Sequence, residues 1–417
     1  ALRTYLIRVV GLDDVQAGWV AGMFGGWIYL VPFFTGALAD RIGFRYALMI
    51  AFALLTLGYG ALGFFSTLGP VIVGLVLIVL GGAIVKPVIT GTVSKSSTEA
   101  NRARAFSIFY MVVNIGSFTG KTIVAPIRIQ MGVENVPWFS AAASLIALVV
   151  VALICYPDKN AGQAQTKSVK ETRQGMWLAV SNLRFLSLIL ITAGFWAIQG
   201  QLYASMPDYV LRMAGETYKP EWYANINPLV VVIFVVMITQ MVRKWKPHNS
   251  ILVAMCLIPL SAIAMAASAW FDGNVTIFGI EMHPITFMMI IGISIQGLAE
   301  CFLSPKWLEF ASLQAPAGKE GTFLGFAHMN TVVAWIFGVI FSGFLLERYC
   351  PEPGSLDAAQ QAAHTAYLNG TGPLPAEYAD AHYLWYAYVG VGMISLIALL
   401  IFIAVNKNRE TSAPAEA

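Results

Sequence analysis

The sequence predicts an all-α membrane protein: twelve transmembrane helices in two six-helix bundles, with the first helix truncated at the start of the chain. Three observations carry this. Apolar residues make up 58% of the chain and charged residues 11%, with a mean hydropathy of +0.70. A soluble domain needs about 25% charged residues to face water, so lipid must solvate most of this surface. Second, apolar runs recur at the length of about 20 helical residues needed to cross a ~30 Å hydrocarbon core. Third, Lys and Arg are confined largely to alternate connecting segments.

The opening ALRTYLIRVV reads as the last turns of a helix already under way. Complete spans follow near 15–38, 46–66, 70–93, 103–125, 137–156, 184–212, 225–242, 249–271, 284–308, 322–347 and 384–406. The polar stretch that begins PDKNAGQAQTKSVKETRQG divides them. The expected organisation is an N-terminal bundle over 1–156, a linker over 157–183, a C-terminal bundle over 184–406 and a tail over 407–417.

Sixteen of the 25 basic residues fall on the side that holds the termini, among them Arg41, Arg45, Lys95, Lys244 and Lys407. Five fall opposite (Arg8, Arg128, Arg212, Lys219 and Arg348). This asymmetry predicts a multi-pass protein of the inner cell membrane with both termini in the cytoplasm. The segment 349–383 is then the largest external loop, and its DAAQQAAHTAYL is expected to form a short surface helix.

Composition also bounds the chemistry. The net charge of +3 gives no case for nucleic acid. Cys155, Cys256, Cys301 and Cys350 show neither disulfide nor zinc spacing, and the five histidines are scattered. No metal site, resident cofactor or catalytic set at one membrane depth is expected, so the chain is not read as an enzyme. Nothing marks an oligomer interface, and a single working chain is expected.

Two groups of residues stand out. GALADRIGFR, Gly36 to Arg45, places Asp40, Arg41 and Arg45 at the cytoplasmic rim between the second and third helices. There they can pair across helix ends as a conformational latch. The segment resembles the signature loop of the major facilitator superfamily. The second group consists of charges inside spans, which cost at least ~2.5–3.5 kcal/mol each at mid-membrane. Lys86 and Glu300 each lie sixteen residues into a span, the fourth and the tenth. Under a six-plus-six repeat they are equivalent, and they are expected to face each other across the central cavity. An ammonium opposed to a carboxylate suits a zwitterionic ligand and supplies a titratable group. Lys121 and Lys306 lie closer to span ends and read as snorkelling to the interface.

FSIFYMVVNIGS, Phe106 to Ser117, is similar to the fifth-helix signature of the proton-dependent oligopeptide transporter family. Lys86-Pro87, YLVPFFTGALAD from Tyr29, Trp196-Ala197, Ile226-Asn227-Pro228 and AECFLSPKWLEFASLQAP from Ala299 resemble further segments of that family, in order along the chain. The resemblance implies a secondary transporter powered by a proton gradient, with short peptides or related zwitterions, protons and the lipid bilayer as its partners. It implies that Glu300 meets the peptide amino terminus and that Lys86, Asn114 and Tyr29 line the carboxylate end. Arg3 matches the family's first-helix arginine, Trp196 walls a side-chain pocket, and Asn227 lies at the start of the eighth helix. Proton coupling falls to Glu300 and Lys86.

Some positions depart from that pattern. The seventh helix carries Gln199-Gly200-Gln201 where the family usually places an acid, and a tryptophan expected in the eleventh is replaced near Phe326 or His328. The alternative is the same fold with a non-peptide cargo: nitrate, an organic anion or a drug-like compound.

Overall fold

A computed structural model describes residues 2–32, 43–95, 102–154, 177–271, 273–277, 279–314 and 320–412. It divides into two compact units, Ala1–Thr172 and Arg173–Ala417. Asp40, Arg41 and most of the expected linker lie outside the described residues. Among the described residues, nine helical stretches are long and apolar enough to cross a membrane.

The first unit runs α1 (Leu2–Arg8), α2 (Asp14–Leu30), α3 (Phe44–Phe64), α4 (Leu68–Lys95), α5 (Arg102–Met131) and α6 (Val136–Ile154). Asp13 starts α2: its carboxylate accepts from the Gln16 amide at 2.7 Å, meeting one of the donors that a helix start leaves open. In lipid, helices associate through close backbone approach rather than through exclusion of water. Accordingly α3 and α4 meet at small residues. A Cβ on Gly58 would sit 2.7 Å from Gly74 O, and one on Gly81 would sit 2.7 Å from Ala51 O. Ala47, Leu48, Ala51, Ile84, Val88 and Val151 close the core between α3, α4 and α6.

The second unit runs α7 (Leu183–Gln199), α8 (Ser205–Ala214), α9 (Ile226–Met241) and α10 (Pro247–Ala266). A two-stranded hairpin follows, β1 (Val275–Ile277) antiparallel to β2 (Ile280–Met282), with Thr276 opposite Glu281. Then come α11 (Pro284–Leu313), α12 (Glu320–Ala327), α13 (Met329–Val333), a π-helical turn (Ala334–Val339), α14 (Ile340–Tyr349), α15 (Ala358–Leu368) and α16 (Tyr383–Ser412). The expected surface helix is α15. Asp357 and Gln360 form its capping box, each side chain bonded to the other's backbone amide. His364 seats the helix, its Nε2 2.7 Å from Arg212 O and its ring stacked on Tyr378.

Three expectations change. The span 184–212 is not one helix: α7 ends at Gln199, a 3₁₀ turn covers Gly200–Leu202, and α8 begins at Ser205. The reason is polar. Gln201 Nε2 donates to Ala197 O at 2.8 Å and Gly338 O at 3.3 Å, and Ser205 Oγ donates to Gln201 Oε1 at 2.9 Å. Side chains thus satisfy groups that an unbroken helix would pair within its own backbone. The span 322–347 is interrupted likewise, at His328 and in the π turn, where the Gly338 carbonyl also accepts from Tyr388 at 2.9 Å. Lys306 does not snorkel. It is buried, donates to Arg243 O at 3.3 Å and Trp245 O at 3.1 Å, and pairs with Glu309 at 2.8 Å. The ammonium therefore meets carbonyls of the turn that follows α9.

Candidate solute-binding site

Glu300 sits in the middle of α11, half-buried. Its Oε2 accepts from Gln199 Nε2 at 2.9 Å and from Asn227 Nδ2 at 3.3 Å. The donors come from the last residue of α7 and the second residue of α9, so three helices of one unit converge on a single carboxylate. Two N–H donors thus meet one oxygen of a carboxylate inside a membrane bundle. The start of α9 adds the positive end of a helix dipole.

The approach of α9 depends on Gly297, one turn before Glu300 on α11. A Cβ there would lie 2.9 Å from Val230 Cβ and 3.2 Å from Asn227 O. A larger side chain must push α9 away and draw Asn227 off the carboxylate. Gly297→Val is therefore expected to cost about 1–3 kcal/mol as an overpacking change. In the purified variant the melting temperature falls, and solute affinity falls with it if Asn227 is part of the site. An unchanged melting temperature would show that α9 has room that this packing denies.

Trp196 lies on α7 one turn before Gln199, part-buried, with its ring edge-on to Phe195 at 5.5 Å. It therefore shares a helix with the Glu300 cluster. Gln199 was legible in the sequence only as a missing acid; the structure makes it the shorter of the two bonds to Glu300. A polar residue three positions after Trp196 in an otherwise apolar span was the signal available for it.

The remaining site residues belong to the first unit. Tyr29 is on α2 and exposed. Lys86 and Asn114 lie on α4 and α5 as helical backbone, and their side chains are outside the described residues. Arg3 is buried. Its Nη2 contacts Asp14 Oδ1 at 2.6 Å and Asp14 O at 2.9 Å, so the guanidinium ties α1 to the start of α2. Arg45, expected in the latch, donates to Ala152 O at 2.5 Å at the C-terminal end of α6. Among the described residues no group of three or more His, Cys, Asp or Glu is placed to hold a metal ion.

Similarities to known proteins fit this architecture. A multidrug resistance protein, MdtH of Aeromonas hydrophila, is 23% identical over 343 residues, covering 79% of this chain and 80% of that protein. The peptide transporter YePEPT of Yersinia enterocolitica is 27% identical over 306 residues, 69% of this chain and 55% of that one. A crystal structure of the peptide transporter POT in complex with sulfate overlays with a TM-score of 0.73 at 20% identity, covering 98% of this chain and 90% of that one. The likeness shows the same twelve-helix fold. The family model of the Major Facilitator Superfamily matches residues 1–282, and the chain is a multi-span membrane transporter belonging to that superfamily.

Proposed function

We propose that this protein is a proton-coupled symporter of di- and tripeptides or similar zwitterions, working by alternating access in the inner cell membrane with both termini in the cytoplasm. The observation that carries the reading is the Glu300 carboxylate, held by Gln199 and Asn227 at the centre of a membrane helix. A proton taken up on this carboxylate together with the solute permits the inward-facing state, and its release inside resets the cycle. One group thereby links solute binding to proton binding. Lys86, with Asn114 and Tyr29, is assigned to the solute's carboxylate end, and Lys86 shares in proton coupling. Asp40, Arg41 and Arg45 are assigned to gating. The peptide transporters among the similar proteins support the cargo class.

The test is thermal stability of the purified protein against a panel of di- and tripeptides, at acidic and neutral pH. A ligand that binds only the folded state raises the melting temperature by RT ln(1 + [L]/Kd). A shift that is selective for peptides and changes with pH is expected. A protein that melts cooperatively and ignores every peptide contradicts the cargo. The second reading, a non-peptide or drug-like cargo, draws on one feature: the neutral amide Gln199 stands where the peptide family usually has an acid. The multidrug resistance relatives agree with it. Competition by dialanine against uptake of a labelled drug-like cation separates the two, since a carrier of that kind ignores the peptide.

A further inference from the structure

Gln296 lies four residues before Glu300 on α11, on the same helical face one turn nearer the start of the helix. It is fully buried, at 0% exposure. Neither its Nε2 nor its Oε1 has a hydrogen-bond partner among the described residues. Side chains in a helix lean toward its N-terminus, so Glu300 leans over the turn that carries Gln296. A second buried amide is half met. Gln199 donates its Nε2 to Glu300 while its Oε1, equally buried, has no partner among the described residues. A primary amide sealed in a membrane bundle with both ends unmet is costly, and native structures meet such groups with protein or ordered water. Apolar packing would serve this position better than an amide if the amide had no task.

We propose that the unmet amide atoms of Gln296, one turn before Glu300 on α11, and of Gln199, bonded to Glu300 from α7, hold an internal water through which the proton reaches Glu300. A buried water takes roughly two to four polar partners, and Gln296 Nε2, Gln296 Oε1, Gln199 Oε1 and the carboxylate offer both donors and acceptors. The transfer balances simply. An excess proton on the water passes to a carboxylate oxygen, one O–H bond breaks as another forms, and neutral water and a carboxylic acid remain. Gln296 is a positioning residue in this account, since it acts through the water. The proton-carrying role rests on the symporter reading; the water site does not.

The experiment compares Gln296→Met with the parent in proteoliposomes. Accumulation driven by a proton gradient is measured beside counterflow of the same labelled dialanine at equal pH, which needs no net proton movement. Gradient-driven accumulation is expected to fall by roughly a hundredfold, in the range for losing a positioned proton-transfer partner. Counterflow is expected to stay within about twofold, because the solute contacts are intact. Unchanged accumulation overturns the proposal. Loss of both activities in a variant that still melts cooperatively also overturns it, because Gln296 would then act on the solute or the packing. A structure of the parent at a resolution that shows ordered water provides an arm independent of cargo and of how the variant folds. Water density within hydrogen-bond reach of Gln296 supports the site even if no peptide is carried, and a dry amide there overturns it. A parent that shows neither counterflow nor gradient-driven uptake of dialanine counts against the symporter reading, and the density then decides the water site alone.

Discussion

Glu300→Gln abolishes proton-driven accumulation of peptide while leaving the protein folded in the membrane. The substitution keeps the size of the side chain and an oxygen that can still accept from Gln199 or Asn227. It removes the charge and the ability to take a proton, the two properties the symport cycle uses. Uptake under a pH gradient is therefore expected to drop to the level of protein-free vesicles. Thermal stability should remain near that of the parent or rise, since burying a charge within a bundle is costly. Labelled dialanine uptake and a melting curve on the same preparation check both halves. Parental rates of gradient-driven uptake would remove Glu300 from the mechanism.

The second large effect is on stability, in the other unit. Arg3 and Asp14 are both nearly inaccessible, their side chains 1% and 4% exposed. Removing one partner takes a 2.6 Å ion-pair contact away from the other buried charge. Breaking such a pair costs about 3–5 kcal/mol, whereas replacing both partners with apolar residues is often close to neutral. Asp14→Asn is expected to lower the melting temperature sharply, and Arg3→Met by a similar amount. The double variant Arg3→Met with Asp14→Leu should recover most of the loss, the signature of coupled neighbours. Melting of the three purified variants gives the answer. Additive losses in the double variant would show that each residue acts separately.

The contrast between these two residues shows what the sequence could convey. Glu300 was legible because a carboxylate in a long apolar run is expensive and must have a reason to be there. Its partners were not: Gln199 lies 101 residues away along the chain and Asn227 lies 73 away, and no local pattern encodes which helices meet. Arg3 illustrates the opposite case. Resemblance offers it as a solute contact, while no local pattern marks Asp14, eleven residues on, as the carboxylate that meets its guanidinium at 2.6 Å.

The same limit explains the helix breaks. A hydropathy window sees 184–212 as one apolar stretch, because Gln201 and Ser205 are few among many apolar neighbours. The break depends on Gln201 reaching Gly338, in a different helical run. The short hairpin at Val275–Ile277 and Ile280–Met282 escaped notice because three-residue strands carry too little alternation to register. The surface helix at Ala358–Leu368 was legible since its capping signal is local, with Asp357 and Gln360 three residues apart.

The most direct test of the central claim, that one carboxylate couples solute to proton, is proton flux itself. Purified protein is reconstituted into vesicles with a pH indicator trapped inside, at equal pH on both sides, and dialanine is added outside under an inside-negative potential. The account predicts acidification of the interior that depends on the peptide and is absent with Glu300→Gln. Peptide entry without acidification, or acidification undiminished in Glu300→Gln, would contradict it.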